Sequence, residues 1–158
     1  MKITIEKALL ENILVHAQTF LEKKDTSQIT SHVYLKAQNN SLTLKATDHE
    51  IGLEVNTTDI NILEDGLITA NGKKLLDIVK ILKNAPVTLT SMNNMLLIDQ
   101  NHSNFKLPMF KSNEFPEFPI VENNSSININ AKELISSFKQ ITSSADNNNP
   151  KFELNGAL

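Results

Sequence analysis

The feature that most constrains this chain is that it repeats itself. Val33-x-Leu35-x-x-x-Asn39-Asn40-x-Leu42-x-Leu44 returns as Val87-x-Leu89-x-x-x-Asn93-Asn94-x-Leu96-x-Ile98. A second pattern, Ile68-x-x-Asn71-x-Lys73-x-Leu75-Leu76, returns as Ile127-x-x-Asn130-x-Lys132-x-Leu134-Ile135. A repeat of this length means one supersecondary unit used again, with copies packed on one another to close a core. The unit reads as strand, helix and several strands, over about 1–62 and again over about 66–120.

The elements follow from periodicity. Segment 3–5 alternates as a strand, and 7–20 carries Leu9, Leu10, Ile13, Leu14 and Ala17 at helical spacing. Strand-like runs at 32–37 and 41–46 flank Asn39-Asn40, a hairpin signal, and 51–56 follows. The second copy has a strand at 67–70, Asn71 as N-cap, and a helix over 73–83 with Leu75, Leu76, Val79 and Leu82 inside. Pro86 ends it; strands at 87–90 and 95–99 surround Asn93-Asn94, and 104–110 is extended. The Phe115-Pro116-Glu117-Phe118-Pro119 run is a rigid connection. A third copy opens with a strand at 127–129 and a capping-box-like Asn130 and Glu133, then a helix with Leu134, Ile135, Phe138 and Ile141. Its sheet is missing, which predicts a piece of a longer protein. The expected class is α+β, with a first domain over 1–122 and an incomplete second over 123–158. Two copies side by side would put both helices on one side of a sheet system.

Composition excludes several chemistries. The 158 residues contain no cysteine, so disulfides, thiolate zinc sites and cysteine nucleophiles are out. Four glycines form no phosphate loop, there is no G-x-S-x-G elbow, and Asp48-His49-Glu50 reads as a polar turn between strands, since on a strand neighbouring side chains face opposite ways and cannot converge on one metal. No metal, cofactor or catalytic group is therefore expected. Short apolar runs and an opening without a leader-like segment predict no membrane span and a cytoplasmic location. All 15 cations are lysine, and asparagine is abundant, a bias that AT-rich coding explains.

Charge is distributed unevenly despite a net −3. Positions 48–65 hold six acids and no lysine, while 73–83 hold four lysines and only Asp77. The outward face of the second helix would carry Lys73, Asp77 and Lys80, with Lys74 and Lys83 alongside, and that of the third Lys132, Ser136 and Lys139. An ordinary solvated helix face has the same look, but a basic face returning in each copy suits a target that also repeats, such as duplex nucleic acid. Lysines without base-reading partners would contact phosphates in a salt-sensitive, sequence-indifferent way. With one Tyr and no Trp, stacking on single strands is not expected.

Several segments, in this order, resemble the bacterial sliding clamps, the beta subunits of DNA polymerase III. They are Met1-Lys2-Ile3-Thr4-Ile5, Ala46-Thr47-Asp48-His49-Glu50, Lys73-Lys74-Leu75-Leu76-Asp77-Ile78, Phe105-Lys106-Leu107-Pro108 with Phe115-Pro116, and Leu154-Asn155-Gly156. The resemblance implies a non-catalytic processivity factor. Two three-domain subunits would close a ring around double-stranded DNA, helices lining the hole and sheets forming the rim. It implies DNA contacts at Lys24, Lys73, Lys80, Asn148, Lys151 and Phe152, and a joint with a second subunit at Lys74, Ile78, Leu82, Phe105 and Leu107. Polymerase and clamp loader would bind later domains. The chain departs from the family pattern at Glu153, where an aromatic is common, in the proline-free 25–29, and at His102 and Asn104, which replace basic residues. The rival readings are a protein-interaction module that never touches DNA and a small α+β enzyme with an unrecognised site.

Overall fold

A computed structural model describes residues 1–23, 25, 28–118, 127–146, 150–151 and 155–156. The chain divides into two compact units, Met1–Phe118 and Pro119–Leu158. In the first, β1 (Lys2–Glu6), α1 (Lys7–Ala17), β2 (His32–Gln38), β3 (Ser41–Thr47), β4 (Gly52–Thr57) and β5 (Ile60–Glu64) form one copy. The other comprises β6 (Gly66–Asn71), α2 (Gly72–Ile81), β7 (Pro86–Met92), β8 (Met95–Gln100) and β9 (Ser103–Pro108).

The copies are interleaved rather than set side by side. One antiparallel sheet runs β5-β1-β7-β8-β9 and the other β4-β3-β2-β6, so each copy gives its opening strand to the other's hairpin. The registers are equivalent: Ile3 faces Leu89 and Ile5 faces Val87, as Ile68 faces Leu35 and Ala70 faces Val33. Strand periodicity sets which residues point inward and is silent about which strand lies alongside.

Both hairpins turn through left-handed asparagines, with φ of 52° and 58° at Asn39 and Asn40 and the same values at Asn93 and Asn94. A two-residue turn needs positive φ at both positions to match strand twist, and asparagine tolerates that region better than most side chains. Inward residues of both sheets, among them Ile3, Leu35, Leu44, Ile68, Leu89 and Ile98, join Leu10 and Leu14 of α1 and Leu75 and Val79 of α2 in one core. The two helices also pack on each other.

Three sequence expectations are corrected. An additional strand, β5, lies inside the acid-rich segment, where Ile60 and Ile62 pair inward against Ile5 and Ile3. The second helix stops at Ile81, because Leu82 is already extended and its N–H bonds to Val79 O, one residue short of helical spacing. In the second unit, 127–129 is not a strand: Ile127 and Ile129 are exposed and have no ladder partner among the described residues. That unit holds α3 (Ala131–Thr142), capped by Asn130 Oδ1 accepting from Lys132 N at 2.9 Å. Its Leu134, Ile135, Phe138 and Ile141 are all exposed.

Candidate nucleic-acid and subunit interfaces

The start of α2 is fixed by a buried polar cluster. Asn71 Oδ1 accepts from Lys74 N at 3.0 Å, and Asn71 Nδ2 donates to Ser31 Oγ at 3.3 Å. Ser31 Oγ in turn donates to the Gln28 carbonyl at 2.8 Å. Gly72 follows because the link after α1 passes directly over it: a Cβ there would collide with Leu21 Cδ1 and lie 3.2 Å from Val33 Cγ1. Once α2 is seated, its period buries Leu75, Leu76 and Val79 and leaves Lys73, Lys74, Asp77 and Lys80 in solvent.

Lys73 and Lys80 stand seven residues apart, a rise of about 10.5 Å along the axis. Neither forms an ion pair among the described residues. Both line an open groove of about 490 Å³ between α2 and the link after α1, with Lys23 on the link and Leu21 and Leu76 at its base. Glu22 and Asp77 also line it, so three ammonium groups meet two carboxylates. The positive end of the α2 dipole adds to the cationic side. Such a surface can hold a polyanion loosely. Among the described residues no three histidine or acidic groups cluster as metal ligands, and no helix is long and apolar enough to cross a membrane.

Behind this face lies His32. It is only 4% exposed, stacks on Phe110 with ring centroids 4.3 Å apart, and leaves Nδ1 without a hydrogen-bond partner. Burial, aided by the Lys74 charge, lowers its pKa from 6.5 to about 4, so the ring is neutral. Phe110 is held from the other side as well: its N–H donates to Thr69 Oγ1 at 2.8 Å, and that hydroxyl donates to the Phe110 carbonyl at 2.9 Å. The chain leaving β9 is therefore tied to both β6 and β2.

A second surface forms where α2 packs on β9, an edge strand whose outer backbone groups pair with no strand among the described residues. Ile78 and Phe105 are half-buried on this flank, and Lys74 is exposed one turn before Ile78. Leu82 and Leu107, expected at the same surface, are 7% and 6% exposed and belong to the core. Ile81, which the sequence reading passed over, is 71% exposed on the Lys74–Ile78 side of the helix. Its signal was the spacing 74, 78, 81, which is one helical stripe.

Of the expected DNA-contacting residues, Lys73 and Lys80 come together on the groove. Lys24, Asn148 and Phe152 lie outside the described residues, and Lys151 is exposed in the second unit. Lys23 was missed because it falls in an irregular link where no periodicity marks a face.

Residues 1–119 match the family model described as DNA polymerase III beta subunit, N-terminal domain. The curated β sliding clamp of Helicobacter pylori strain J99 is 44% identical over 158 residues, covering all of this chain and 42% of that protein. The β sliding clamp of Caulobacter vibrioides is 30% identical over 159 residues, again covering 42% of its length. A crystal structure of the H. pylori β clamp bound to a DNA ligase peptide superposes with a TM-score of 0.91 at 43% identity, covering 97% of this chain and 43% of that one. The C. crescentus β sliding clamp gives 0.89 at 30% identity, covering 99% and 42%. The chain thus spans under half the length of these relatives, and its antiparallel sheets with paired helices are the fold they share. It belongs to the DNA polymerase III beta subunit family, the bacterial β sliding clamps, and residues 1–119 are that family's N-terminal domain.

Proposed function

We propose that this chain is the N-terminal part of a processivity clamp, a non-catalytic cytoplasmic subunit that closes with a second copy into a ring around double-stranded DNA. In this reading Lys73 and Lys80, with Lys24, Asn148, Lys151 and Phe152, face the DNA. Lys23 joins them from the groove. Lys74, Ile78 and Phe105 form the joint with the second subunit, Ile81 beside them, while Leu82 and Leu107 support it from the core. Polymerase and clamp loader engage parts of the subunit beyond this chain. No cofactor is required, because the ring holds DNA by enclosing it and the lysines need only brush phosphates.

The observation that carries this reading is a pair of exposed ammonium groups two turns apart on α2, without an ion pair among the described residues, over a groove with Lys23. Contacts of that kind depend on salt and not on sequence. The test is Lys73→Ala with Lys80→Ala in the intact subunit, loaded on nicked circular duplex. Retention on DNA and processivity fall while the melting temperature stays within a degree or two. Unchanged retention and processivity at 50 to 200 mM salt would refute a DNA-facing α2.

A further inference from the structure

The two copies differ most where helix gives way to hairpin. Fourteen residues, 18–31, separate α1 from β2, whereas four, 82–85, separate α2 from β7. The short link is braced by one side chain of the hairpin that follows it. Gln100, at the end of β8 and 5% exposed, accepts at Oε1 from Lys83 N at 2.9 Å. Its Nε2 donates to the carbonyls of Lys83 at 2.9 Å and Ala85 at 2.8 Å. Both of its amide hydrogens are therefore used, and three backbone groups of the link find partners in one side chain. The repeat places Ala46 at the equivalent position of β3, with nothing to offer a link.

Gln100 also faces Ser103 across the β8–β9 turn, so it sits at the root of the edge strand. The proposed subunit joint draws Ile78 and Ile81 from the end of α2 and Phe105 from β9, two elements that follow different paths out of the core. We propose that Gln100 is a positioning residue for subunit association: it locks the end of α2 to the β8–β9 hairpin so that helix and strand present one rigid edge. This rests on the ring reading above. Without the amide, Lys83 N–H and the Ala85 carbonyl lose the Gln100 partner, the Lys83 carbonyl keeps only Ala85 N–H, and the link opens toward water to satisfy them. The edge then has to be ordered at each association event, which weakens binding although no contact residue has changed.

The test uses the intact subunit with Gln100→Met, which keeps length without the amide, beside Val55→Ala in β4, a half-buried position in the other sheet. Sedimentation and subunit-exchange measurements give the dimer dissociation constant, and hydrogen exchange follows the Lys83 amide. Gln100→Met raises the dissociation constant at least tenfold and accelerates Lys83 exchange, while Val55→Ala lowers the melting temperature without changing association. The proposal is overturned if Gln100→Met associates as the wild type does, or if Val55→Ala weakens association equally for the same loss of melting temperature. Should Gln100→Met not fold, the wild-type protein decides: a Lys83 N–H that exchanges at the unprotected rate sinks the brace, and a protected one upholds it. Ile78→Glu separates the two layers of argument. If it leaves association intact, the joint itself is misplaced; if it abolishes association while Gln100→Met does not weaken it, only the brace is wrong.

Discussion

His32 makes the stability of the first unit depend on pH in a window that opens well above that of Asp48 and Glu54. In the unfolded chain its imidazole takes up a proton near pH 6.5; in the folded protein, sealed by Phe110 and beside Lys74, it does so only near pH 4. Between these values the unfolded chain holds one more proton than the folded one, so acid favours unfolding. Stability from this group is complete above pH 6.5 and falls as pH drops toward 4. At about 1.4 kcal/mol for each pH unit, the loss comes to roughly 3 kcal/mol by pH 4. Asp48 and Glu54, whose pKa values are lowered by hydrogen bonds from backbone N–H groups and from Lys45 respectively, act in the same direction but only at more acid pH. Urea denaturation at pH 7.5, 6.5, 5.5 and 4.5 measures the slope, with His32→Gln as reference because His16, His49 and His102 remain in both proteins. Wild type loses stability more steeply than His32→Gln between pH 6.5 and 4.5, and Lys74→Ala narrows the gap by removing the nearby charge. Identical slopes in wild type and His32→Gln would refute the argument that the buried ring resists protonation.

Two further outcomes test the packing. Gly72→Ala destabilises by about 1–2 kcal/mol, since overpacking against buried Leu21 and Val33 outweighs the roughly 1 kcal/mol that alanine gains in a helix; adding Leu21→Ala recovers part of the loss in thermal melts, and a stabilised single variant would contradict the close approach. Asn40→Val and Asn94→Val each cost on the order of 1–2 kcal/mol, because a β-branched residue is forced into the left-handed region. Chemical denaturation should give nearly equal losses, and tolerance at one turn but not the other would break the equivalence of the copies.

Much of this architecture is legible from local chemistry. The Asn-Asn pairs announce their hairpins because few other residues accept positive φ, and the helices announce themselves through apolar residues at intervals of three and four. What escaped has a common physical origin. β5 was hidden because its alternating Ile60 and Ile62 stand among acids that read as a charged stretch. The exchange of opening strands was hidden because pairing partners leave no mark on a strand's own period. Ile127 and Ile129 show the converse, alternating like a strand without a ladder partner among the described residues. At the functional surfaces, Lys73 and Lys80 were visible because a helix fixes their direction. Periodicity placed Leu82 inside, where it lies, and only the family resemblance put it at the joint; Ile81, the last residue of the helix, was overlooked although it shares a stripe with Lys74 and Ile78. Gln100 carried no signal at all, since its role depends on a link that only the fold brings within reach.

The crossed pairing of β1 with β7 and β6 with β2 has an implication for ancestry. Half of this unit, made alone, would hold a hairpin lacking its neighbour and a leading strand lacking its hairpin. Two such halves meeting as separate molecules would satisfy each other completely, in the registers that Ile3–Leu89 and Ile68–Leu35 preserve today. The present unit thus has the form of a symmetric pair fused into one polypeptide, and a cut between Glu64 and Gly66 should leave two pieces able to reassemble when mixed.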